Sequence, residues 1–364
     1  MKPNQTIAFV NSNKAWGGGE KWHFEMGKRL REKGYPVLFV VHKKSALYKK
    51  VKEAELPHAA IVINNFSFLN LLKIRKISRL FREQRVGSVI MNLPSDVKVA
   101  GPAARKAGVE KIMYRRGTAL PVNNNLYNRY LFKKVITHII TNSHATKELL
   151  LQKNSKLVDR KKFRIIYNGL DFNEFDNRPV KPIYTRKNDE LIIGNASRFV
   201  EQKGHKLLVE VARKLKSREV PFQLLLAGEG KLKESIIKLA KKEGVYENLL
   251  FTGFITDIKS FMASIDIFLL TSLWEGFGYV IVEAMAGEKP VIAFDISSNP
   301  EIIRDGENGY LIPFRDTDTF AEKIITLYHK PRLREKMARE AGKTAAENFD
   351  MDYMVRQIED LIAE

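Results

Sequence analysis

The stretch IFLLTSLWEGFGYVIVEAMA, residues 267–286, contains the pattern that decides the fold of this chain. Its first five residues are a short apolar run, which predicts a buried β-strand. The glycine-containing residues 272–278 predict a loop, and a helix is predicted to begin near Gly278. A strand that leads through a short loop into a helix is typical of βαβ units, in which neighbouring strands run parallel.

The same alternation runs through the whole chain of 364 residues. Buried strands are predicted at residues 6–11, 36–41, 59–63, 88–92, 111–114 and 138–141, and then at 190–196, 223–227, 249–252, 267–271, 290–294 and 310–312. Helices are predicted at 20–33, 206–216, 232–243, 320–328, 332–348 and 354–363, with further helical stretches between the first strands. Strands that alternate with helices predict an α/β fold with doubly wound parallel sheets.

The chain is too long for one ordinary compact domain and suits two. Residues 176–187 carry Pro179 and Pro182 among polar residues, which predicts a linker. We therefore expect a Rossmann-like domain at residues 1–178, a second at 179–346, and a terminal helix within 347–364 that packs back toward the first. The two domains are expected to face each other across a cleft, because open α/β sheets bind ligands beyond the carboxyl ends of their strands.

The net charge of +20 is concentrated in the first half of the chain. Residues 1–180 hold 35 Lys and Arg against 13 Asp and Glu, whereas residues 181–364 hold 27 against 29. A basic N-terminal half suits an anionic membrane surface, a phosphorylated acceptor or nucleic acid, or it serves solubility alone. The absence of cysteine excludes disulfides and thiolate metal sites, and the seven histidines show no metal-ligand spacing.

Two basic segments, 69–85 and 127–134, interleave Lys and Arg with apolar and aromatic residues. Such segments are typical of docking on an anionic membrane surface, although helices that pack on the sheet with a solvated basic face show the same pattern. Residues 1–10 show no secretory leader, and no apolar run approaches the ~18 residues of a membrane span. We expect a cytoplasmic protein that attaches peripherally to the inner face of the cytoplasmic membrane.

Candidate ligand loops lie at the predicted strand ends. Gly17, Gly18 and Gly19 precede the first helix and would let backbone N–H groups approach an anion at its N-terminus, unless they only form a tight turn. Arg198 and Lys203 follow the strand at 190–196. Two permanent cations on one loop suit a diphosphate, unless they only line a solvated loop.

A third loop carries Glu275, and Glu283 lies in the helix after it. The helix N-terminus near Gly278 favours an anion. Glu283 lies among apolar residues and needs a polar partner, for which sugar hydroxyls are suited, unless it is merely an exposed helical glutamate. A hydrolase with paired carboxylates is the other chemical interpretation. It fits poorly, because one carboxylate lies on a helix beside an anion-binding terminus.

Taken together, these motifs resemble those of the retaining glycosyltransferases of the GT-B fold, in the large family four. Glu275 and Glu283, with seven residues between them, match the paired glutamates of that family. Residues 196–204 resemble its Arg…Lys-Gly segment, with Ser197 where glycine is commoner. Further segments that resemble the family are 18–20, 167–171, 227–230, 251–254 and 301–309, so the resemblance spans nearly the whole chain.

The resemblance implies a role for each matching residue. Arg198 and Lys203 would bind the donor diphosphate and stabilise it as it leaves, because fixed cations stabilise charge that develops in the transition state. Glu275 would bind hydroxyls of the transferred sugar, and Glu283 the ribose hydroxyls. The other donor-binding residues that the resemblance implies are Gly18, Gly19, Gly253, Phe254, Gly276, Phe277 and Gly278. No metal and no cofactor is expected, since the nucleotide-sugar is a substrate.

One departure concerns the loop after the strand at 88–92, where many relatives carry a histidine. This chain has Asn92 and Asp96 there, and Asp96 is our candidate for an acceptor-side or sugar-contacting catalytic residue. It would serve equally well as a helix N-cap. The resemblance also implies that retention proceeds by front-face attack, with the donor phosphate taking the acceptor proton. Asp350 and Asp352 have the spacing of a metal-binding acidic pair, but their position favours a helix start.

The expected function is metal-independent, retaining hexosyl transfer from a nucleotide diphosphate sugar, with UDP favoured over GDP. The acceptor would be a glycan or a lipid-linked molecule, in the synthesis of bacterial lipopolysaccharide or another cell-surface polysaccharide. A nucleotide-sugar epimerase of similar architecture and a basic nucleic-acid-binding protein are the alternatives. We expect no nucleic-acid partner, because the sequence shows no helix-turn-helix, zinc or stacking-sheet motif.

Overall fold

The computed structural model of the chain describes residues 5–64, 66–117, 122–154, 157–177 and 179–364. The chain forms two compact units: Met1–Gly169 with Met351–Glu364, called unit 1, and Leu170–Asp350, called unit 2. Leu170 and Asp350 pair as an isolated parallel bridge, so the chain enters and leaves unit 2 at adjacent positions. Unit 2 therefore begins at Leu170, before the expected boundary at residue 178, and ends at Asp350, after the expected boundary at residue 346. Residue 178 lies in the expected linker and outside the described residues.

Unit 1 contains a seven-stranded parallel sheet in the order β3-β2-β1-β4-β5-β6-β7. Its strands are β1 Thr6–Asn11, β2 Val37–Val41, β3 His58–Ala60, β4 Val86–Met91, β5 Lys111–Arg116, β6 His138–Thr141 and β7 Phe163–Ile165. The six strands predicted for this half are confirmed with small shifts at their ends. The structure adds β7, and it extends β5 through two buried arginines, Arg115 and Arg116.

Helices cover both faces of this sheet. They are α1 Gly18–Glu32, α2 Ala46–Glu53, α3 Leu71–Glu83, α4 Pro94–Ala107, α5 Leu126–Tyr130, α6 His144–Asn154 and the terminal helix Met351–Ala363. Side chains alternate along each strand. Ala8 and Val10 therefore join the apolar core formed with α3 and α4, whereas Phe9 lies in a second core with α1 and the terminal helix.

Unit 2 contains a six-stranded parallel sheet in the order β10-β9-β8-β11-β12-β13. Its strands are β8 Leu191–Ala196, β9 Phe222–Ala227, β10 Leu249–Gly253, β11 Ile267–Leu270, β12 Val291–Phe294 and β13 Gly309–Ile312, and all six predicted strands are confirmed. The helices are α7 Phe172–Asn177, α8 His205–Ser217, α9 Lys233–Lys242, α10 Ile258–Ala263, α11 Tyr279–Ala286, α12 Thr317–His329 and α13 Pro331–Asn348, so the terminal helix is α14.

Both sheets place the first strand of the unit beside its fourth: β1 lies next to β4, and β8 lies next to β11. The direction of the crossover connections reverses at these points. The loops that follow the two central strands diverge there and leave a crevice in which ligands bind. We therefore expect ligand-binding residues in the loops after β1 and β4 in unit 1, and after β8 and β11 in unit 2. Across the described residues, no helix combines the length and the apolar character that crossing a bilayer requires.

Candidate functional site

The loops after β8 and β11 bring two opposite charges together in unit 2. Lys203 ends a 3₁₀ turn, Glu201–Lys203, just before α8, and Glu275 lies in the loop between β11 and α11. Lys203 Nζ is 2.5 Å from Glu275 Oε1, and the two side chains are 14% and 6% exposed. The buried Ser272 hydroxyl donates to the same carboxylate oxygen at 2.6 Å. Glu275 is thus the anionic half of a nearly buried ion pair.

The main chain around Glu275 is fixed as well. Its N–H donates to the Ser297 hydroxyl oxygen at 3.3 Å. Ser297 lies after β12 with φ +50°, in the left-handed region, which costs a non-glycine residue about 1 kcal/mol. On the other side, the Gln202 side chain donates to the carbonyl of Trp274 at 2.9 Å. The peptide group between Trp274 and Glu275 is therefore held by two chain segments, the one after β12 and the turn before α8.

Gly204 sets how closely the two loops approach. It has φ +62°, and a Cβ at this position would lie 2.1 Å from the carbonyl oxygen of Thr271. The Thr271 hydroxyl donates to the Gly204 carbonyl at 3.2 Å. A side chain at residue 204 would therefore separate β11 from the start of α8, and with it Lys203 from Glu275.

Arg198 has a different environment. It is exposed, and its guanidinium has no hydrogen-bond or ion-pair partner among the residues that the structure describes. The loops after β9 and β10 lie against its segment: a Cβ on Gly228 would be 2.0 Å from the Ser197 carbonyl, and the Gly228 N–H donates to Gly253 at 2.7 Å. Phe254, next along the chain, is 71% exposed. A solvated cation and an accessible aromatic ring therefore stand on adjoining loops.

Helix α11 begins directly after the Glu275 loop. Gly278 is its N-cap residue with φ +75°, and Gly276 and Gly278 flank the buried Phe277. The Phe277 ring meets Phe349 edge to face, with centroids 5.7 Å apart. Within the helix, Glu283 is partly exposed, while most of its neighbours are buried and apolar. Glu275, the N-terminus of α11 and Glu283 therefore follow one another along the chain directly after β11.

His205, the first residue of α8, lies two residues after Lys203 and is neutral at neutral pH. Burial, followed by the charge of Lys203, lowers its pKa to about 4 from the ordinary value of 6.5. The ring stacks on Phe199 with centroids 4.2 Å apart, and its Nε2 lies 3.3 Å from the Ser197 hydroxyl. At neutral pH, Arg198 and Lys203 therefore supply the positive charge of this segment without a third cation from His205.

The switch point of unit 1 is organised around Glu20, in the first turn of α1. Glu20 is 3% exposed, and its Oε1 accepts from three side-chain amides, those of Asn11 at 3.2 Å, Asn13 at 3.0 Å and Asn92 at 3.2 Å. A Cβ on Gly19 would lie 2.7 Å from Asn92 Nδ2, whereas a Cβ on Gly18 would meet no atom within 4 Å. Gly19 is therefore required for packing, and Gly18 borders open space.

Arg115, at the end of β5, fixes the other side of Asn92. Its Nη1 donates to Asn92 Oδ1 at 3.2 Å, its Nη2 donates to Asn168 Oδ1 at 2.7 Å, and the guanidinium lies 4.5 Å from the Trp22 ring centroid. Because Asn92 donates to a carboxylate and accepts from a guanidinium, its amide has one orientation. The chain ends of β1, β4 and β5 are thereby tied into one polar network.

Asp96 lies beneath this network and is fully buried. It is the third residue of α4 and not its N-cap, and it accepts from the backbone N–H of Leu93 at 3.0 Å and of Ser12 at 3.3 Å. Burial raises its pKa from 3.8 to about 7, against the lowering effect of these hydrogen bonds. The expectation that Asp96 is the helix N-cap is therefore wrong by three residues: Leu93 is the N-cap, and Asp96 accepts from its N–H within the first turn of the helix. Whether it also contacts a substrate stays a prediction.

Two family models match the chain, one in each half. The model of Glycosyltransferase Family 4 matches residues 16–174, and that of Glycosyl transferases group 1 matches residues 176–344. The chain belongs to the group 1 glycosyltransferases of family four. In this family member, the paired glutamates and the Arg198–Lys203 segment fall within the second match, and Glu20, Asn92 and Arg115 fall within the first.

Curated relatives match over different shares of their length. EpsD of Bacillus subtilis is 37% identical over 186 residues, which are 49% of this chain and 49% of EpsD. The N-acetyl-alpha-D-glucosaminyl L-malate synthase of Bacillus anthracis is 26% identical over 358 residues, 94% of this chain and 93% of the relative. The N-acetylgalactosamine-N,N'-diacetylbacillosaminyl-diphospho-undecaprenol 4-alpha-N-acetylgalactosaminyltransferase of Campylobacter jejuni is 29% identical over 231 residues, 62% and 61%. The match thus spans about half the length of the first relative.

Solved structures agree over the full chain. A glycosyltransferase from Rickettsia africae superposes with a TM-score of 0.89 at 22% identity and covers 99% of this chain and 98% of its own. HepE of Anabaena, solved in complex with UDP and glucose, superposes with a TM-score of 0.82 at 21% identity and covers 98% and 99%. At these identities the likeness shows the fold. The α/β GT-B fold expected from the sequence is confirmed.

The structure distributes the predicted site residues between the two units. Arg198, Lys203, Gly253, Phe254, Gly276, Phe277, Gly278, Glu275 and Glu283 lie in unit 2, and Gly18, Gly19 and Asp96 lie in unit 1. Of these, Lys203 and Glu275 touch directly. Four contributors were missed as site residues: Ser272, Ser297, Glu20 and Arg115. Only Glu20 had a signal, as an acidic residue directly after the glycines.

Proposed function

We propose that this chain transfers a hexosyl group from a UDP-sugar to a glycan or lipid-linked acceptor, with retention of configuration. The observation that carries the proposal is the arrangement at the switch point of unit 2. There a cation, Lys203, is held against a carboxylate, Glu275, and the solvated Arg198 lies on the same loop as Lys203. A diphosphate that carries a sugar needs both: cations for the phosphates and a carboxylate for the hydroxyls.

Each residue takes one task in this proposal. Arg198 and Lys203 bind the two phosphates, and they stabilise the leaving group most in the transition state, when its charge grows. Glu275 accepts hydrogen bonds from the transferred sugar, and Glu283 accepts them from the ribose. Backbone groups complete the donor site in unit 2: Gly276, Phe277 and Gly278 at the start of α11, and Gly253 and Phe254 near the base. The donor contacts expected of Gly18 and Gly19 in unit 1 stay a prediction.

Retention follows from attack on the face that the leaving group occupies. The acceptor oxygen bonds to the anomeric carbon, the bond from that carbon to the diphosphate oxygen breaks, and the acceptor proton passes to the departing phosphate. The nucleoside diphosphate leaves with the electron pair, and Arg198 and Lys203 balance its charge. This scheme uses neither a metal nor a cofactor. It also uses no protein nucleophile.

Three observations support the choice of substrates. The structure of HepE contains UDP, and the name of the Campylobacter relative specifies a diphospho-undecaprenol acceptor. The basic first half of this chain suits an acceptor presented at an anionic membrane, with the protein on the cytoplasmic face. We therefore propose a step in bacterial cell-surface polysaccharide or lipopolysaccharide synthesis, with Asp96 as an acceptor-side residue and no nucleic-acid partner.

Thermal-shift titration tests this function against its alternatives. A ligand that binds only the folded state raises the melting temperature as its concentration exceeds Kd. UDP is expected to stabilise the protein, and a DNA or RNA oligonucleotide of matched charge is not. Stabilisation by the oligonucleotide alone would favour nucleic-acid binding. Epimerisation of a UDP-sugar without any transfer or release of UDP would favour the epimerase.

A further inference from the structure

Five large apolar side chains of unit 1 are unusually exposed and occur on two neighbouring segments. They are Phe66 at 76%, Leu69 at 69%, Leu71 at 65%, Leu72 at 73% and Leu126 at 82%. We call these five residues the apolar tip. Isolated exposed leucines are ordinary on protein surfaces, but several close together mark an interaction site.

Side-chain contacts join the two segments into one surface. Phe68, from the 3₁₀ turn Ser67–Leu69, packs against Tyr127 of α5 with ring centroids 5.1 Å apart. Tyr127 in turn stacks on Tyr130 and donates its hydroxyl to the carbonyl of Lys98 in α4. The tip residues on either side of this aromatic contact therefore belong to one continuous face.

The tip is distinct from the apolar side of α3 that the sequence pattern emphasised. Ile74, Ile77 and Phe81 are buried in the core of unit 1, as expected for a helix packed on its sheet. Leu71 and Leu72 lie in the first turn, which is closed by Asn70: its side chain accepts from the Lys73 N–H at 2.9 Å. The helix is therefore capped and packed without using the tip, so its exposure requires a separate explanation.

Basic side chains surround the tip. The exposed cations of α3, α4, α5 and the residues directly after α5 are Arg75, Lys76, Arg79, Arg82, Arg105, Lys106, Arg129, Lys133 and Lys134. Two cations lie over neighbouring aromatic rings: Lys98 is 5.8 Å from the Phe68 centroid, and Arg105 is 5.8 Å from that of Tyr130. On α3 the one acidic residue is Glu83, which pairs with Arg79. The face thus combines exposed leucines, two tyrosines and a set of exposed basic side chains.

We propose that this face inserts into an anionic lipid bilayer. The apolar tip enters the boundary between headgroups and acyl chains, the tyrosines lie at headgroup level, and the surrounding Lys and Arg contact lipid phosphates. Charge complementarity selects this partner, because the cations on these elements match the negative headgroups of an anionic bilayer while the exposed leucines match its acyl chains. The inference deepens the proposed function, since it places the acceptor-side unit at the membrane where a lipid-linked acceptor would be.

Vesicle co-sedimentation of the full chain tests the inference. Vesicles of phosphatidylcholine alone are compared with vesicles that contain about 30% phosphatidylglycerol, at low and at high salt. The expected result is binding to the anionic vesicles that weakens as salt rises. The variant L72S/L126S should bind at least tenfold more weakly at the same salt. The variant R75E/K76E should lose the preference for anionic lipid.

A matched control comes from unit 2, where Val180 and Ile183 are also exposed apolar residues. V180S/I183S should bind vesicles as the unchanged protein does. The inference is overturned if L72S/L126S sediments like the control, or if the unchanged protein binds neither vesicle. It is equally overturned if light scattering shows a dimer that L72S/L126S abolishes, because a second copy would then cover the tip.

The same variants separate this inference from the proposed function. UDP stabilisation and release of UDP from a UDP-sugar are measured without vesicles, and both should be unchanged in L72S/L126S. Vesicle binding by a protein that handles no nucleotide-sugar would leave the membrane face standing and defeat the proposed function. Normal donor turnover without vesicle binding would do the reverse.

Discussion

The ammonium of Lys203 and the carboxylate of Glu275 form a nearly buried ion pair, with Nζ 2.5 Å from Oε1, at the switch point of the second sheet. The sequence predicted separate partners for them: the donor phosphate for Lys203 and the donor sugar for Glu275. The pair shows that the two groups also support each other. Removing one leaves the other buried without its counter-charge, which is costly.

Replacing Lys203 with alanine should therefore lower both the rate and the stability. Loss of a cation that stabilises the leaving phosphate is expected to reduce kcat at least ~100-fold. The unpaired Glu275 should lower the free energy of unfolding by about 3 kcal/mol. Steady-state kinetics and urea unfolding measure the two effects. Adding Glu275→Gln to this variant should restore much of the stability and none of the rate, and recovery of rate would contradict the phosphate role.

Replacing Glu283 with glutamine should mainly weaken donor binding. A hydrogen bond to a charged group contributes about 1.5 kcal/mol, so the KM for the donor should rise roughly tenfold while kcat changes little. Glu335→Gln, at an exposed position of α13, is the matched control. A fall in kcat without any change in KM would assign Glu283 to the chemical step and contradict the ribose role.

Ser297 offers a test in which activity and stability separate. Ser297→Ala and Ser297→Gly both remove the hydroxyl that accepts from the Glu275 N–H, but only glycine relieves the left-handed backbone. We expect the glycine variant to be more stable than the alanine variant by about 1 kcal/mol. Both should lose kcat by a similar factor of about five. If activity follows stability across the two variants, Ser297 has no positioning role for Glu275.

Asp96 should make stability depend on pH in an unusual direction. Its pKa in the folded protein is about 7, raised from 3.8 chiefly by burial, so between these values the folded state holds a proton that the unfolded state has released. Its contribution to stability therefore falls as pH rises from about 4 to about 7, by a few kcal/mol at most. Asp96→Asn removes this titration and should gain stability relative to the unchanged protein as pH increases.

The difference between the two unfolding curves is the informative quantity. His205 has a pKa lowered to about 4, so the unfolded state binds more protons between pH 4 and pH 6.5, and this residue contributes a stability that rises with pH. Subtracting the urea-unfolding free energies of Asp96→Asn and the unchanged protein at pH 5, 6, 7 and 8 cancels that term. A difference that stays constant over this range would show that Asp96 does not titrate there.

The sequence predicted the fold well because parallel strands buried on both faces are nearly continuous apolar runs. It missed β7, Phe163–Ile165, because three residues that include an arginine carry no such signal. It ended β5 too early for a related reason. Arg115 and Arg116 are charged and yet buried, since hydrogen bonds to Asn92, Asn168 and Tyr114 compensate them. Asn92 and Asn168 are distant in sequence from Arg115, so no local pattern shows that they compensate its charge.

The site was predictable to a similar extent. Glu275, Lys203 and Arg198 could be named as candidates because their motifs are local and lie at strand ends, and the structure brings Lys203 and Glu275 into contact. Ser272 and Ser297 were missed, because a serine that holds a carboxylate or an N–H is indistinguishable in sequence from any loop serine. The buried hub at Glu20 was missed because its three donors come from two different strand ends. Such contacts are created by the fold and exist only after the chain ends of the strands have been brought together.

The most direct test of the central claim is the release of the nucleoside diphosphate, UDP or GDP, from a panel of UDP- and GDP-sugars, with and without a metal chelator. The account predicts turnover of at least one UDP-sugar at a rate that the chelator does not change, together with its loss in Lys203→Ala. If no donor is turned over and no nucleoside diphosphate raises the melting temperature, the assignment of unit 2 as a nucleotide-sugar site is wrong.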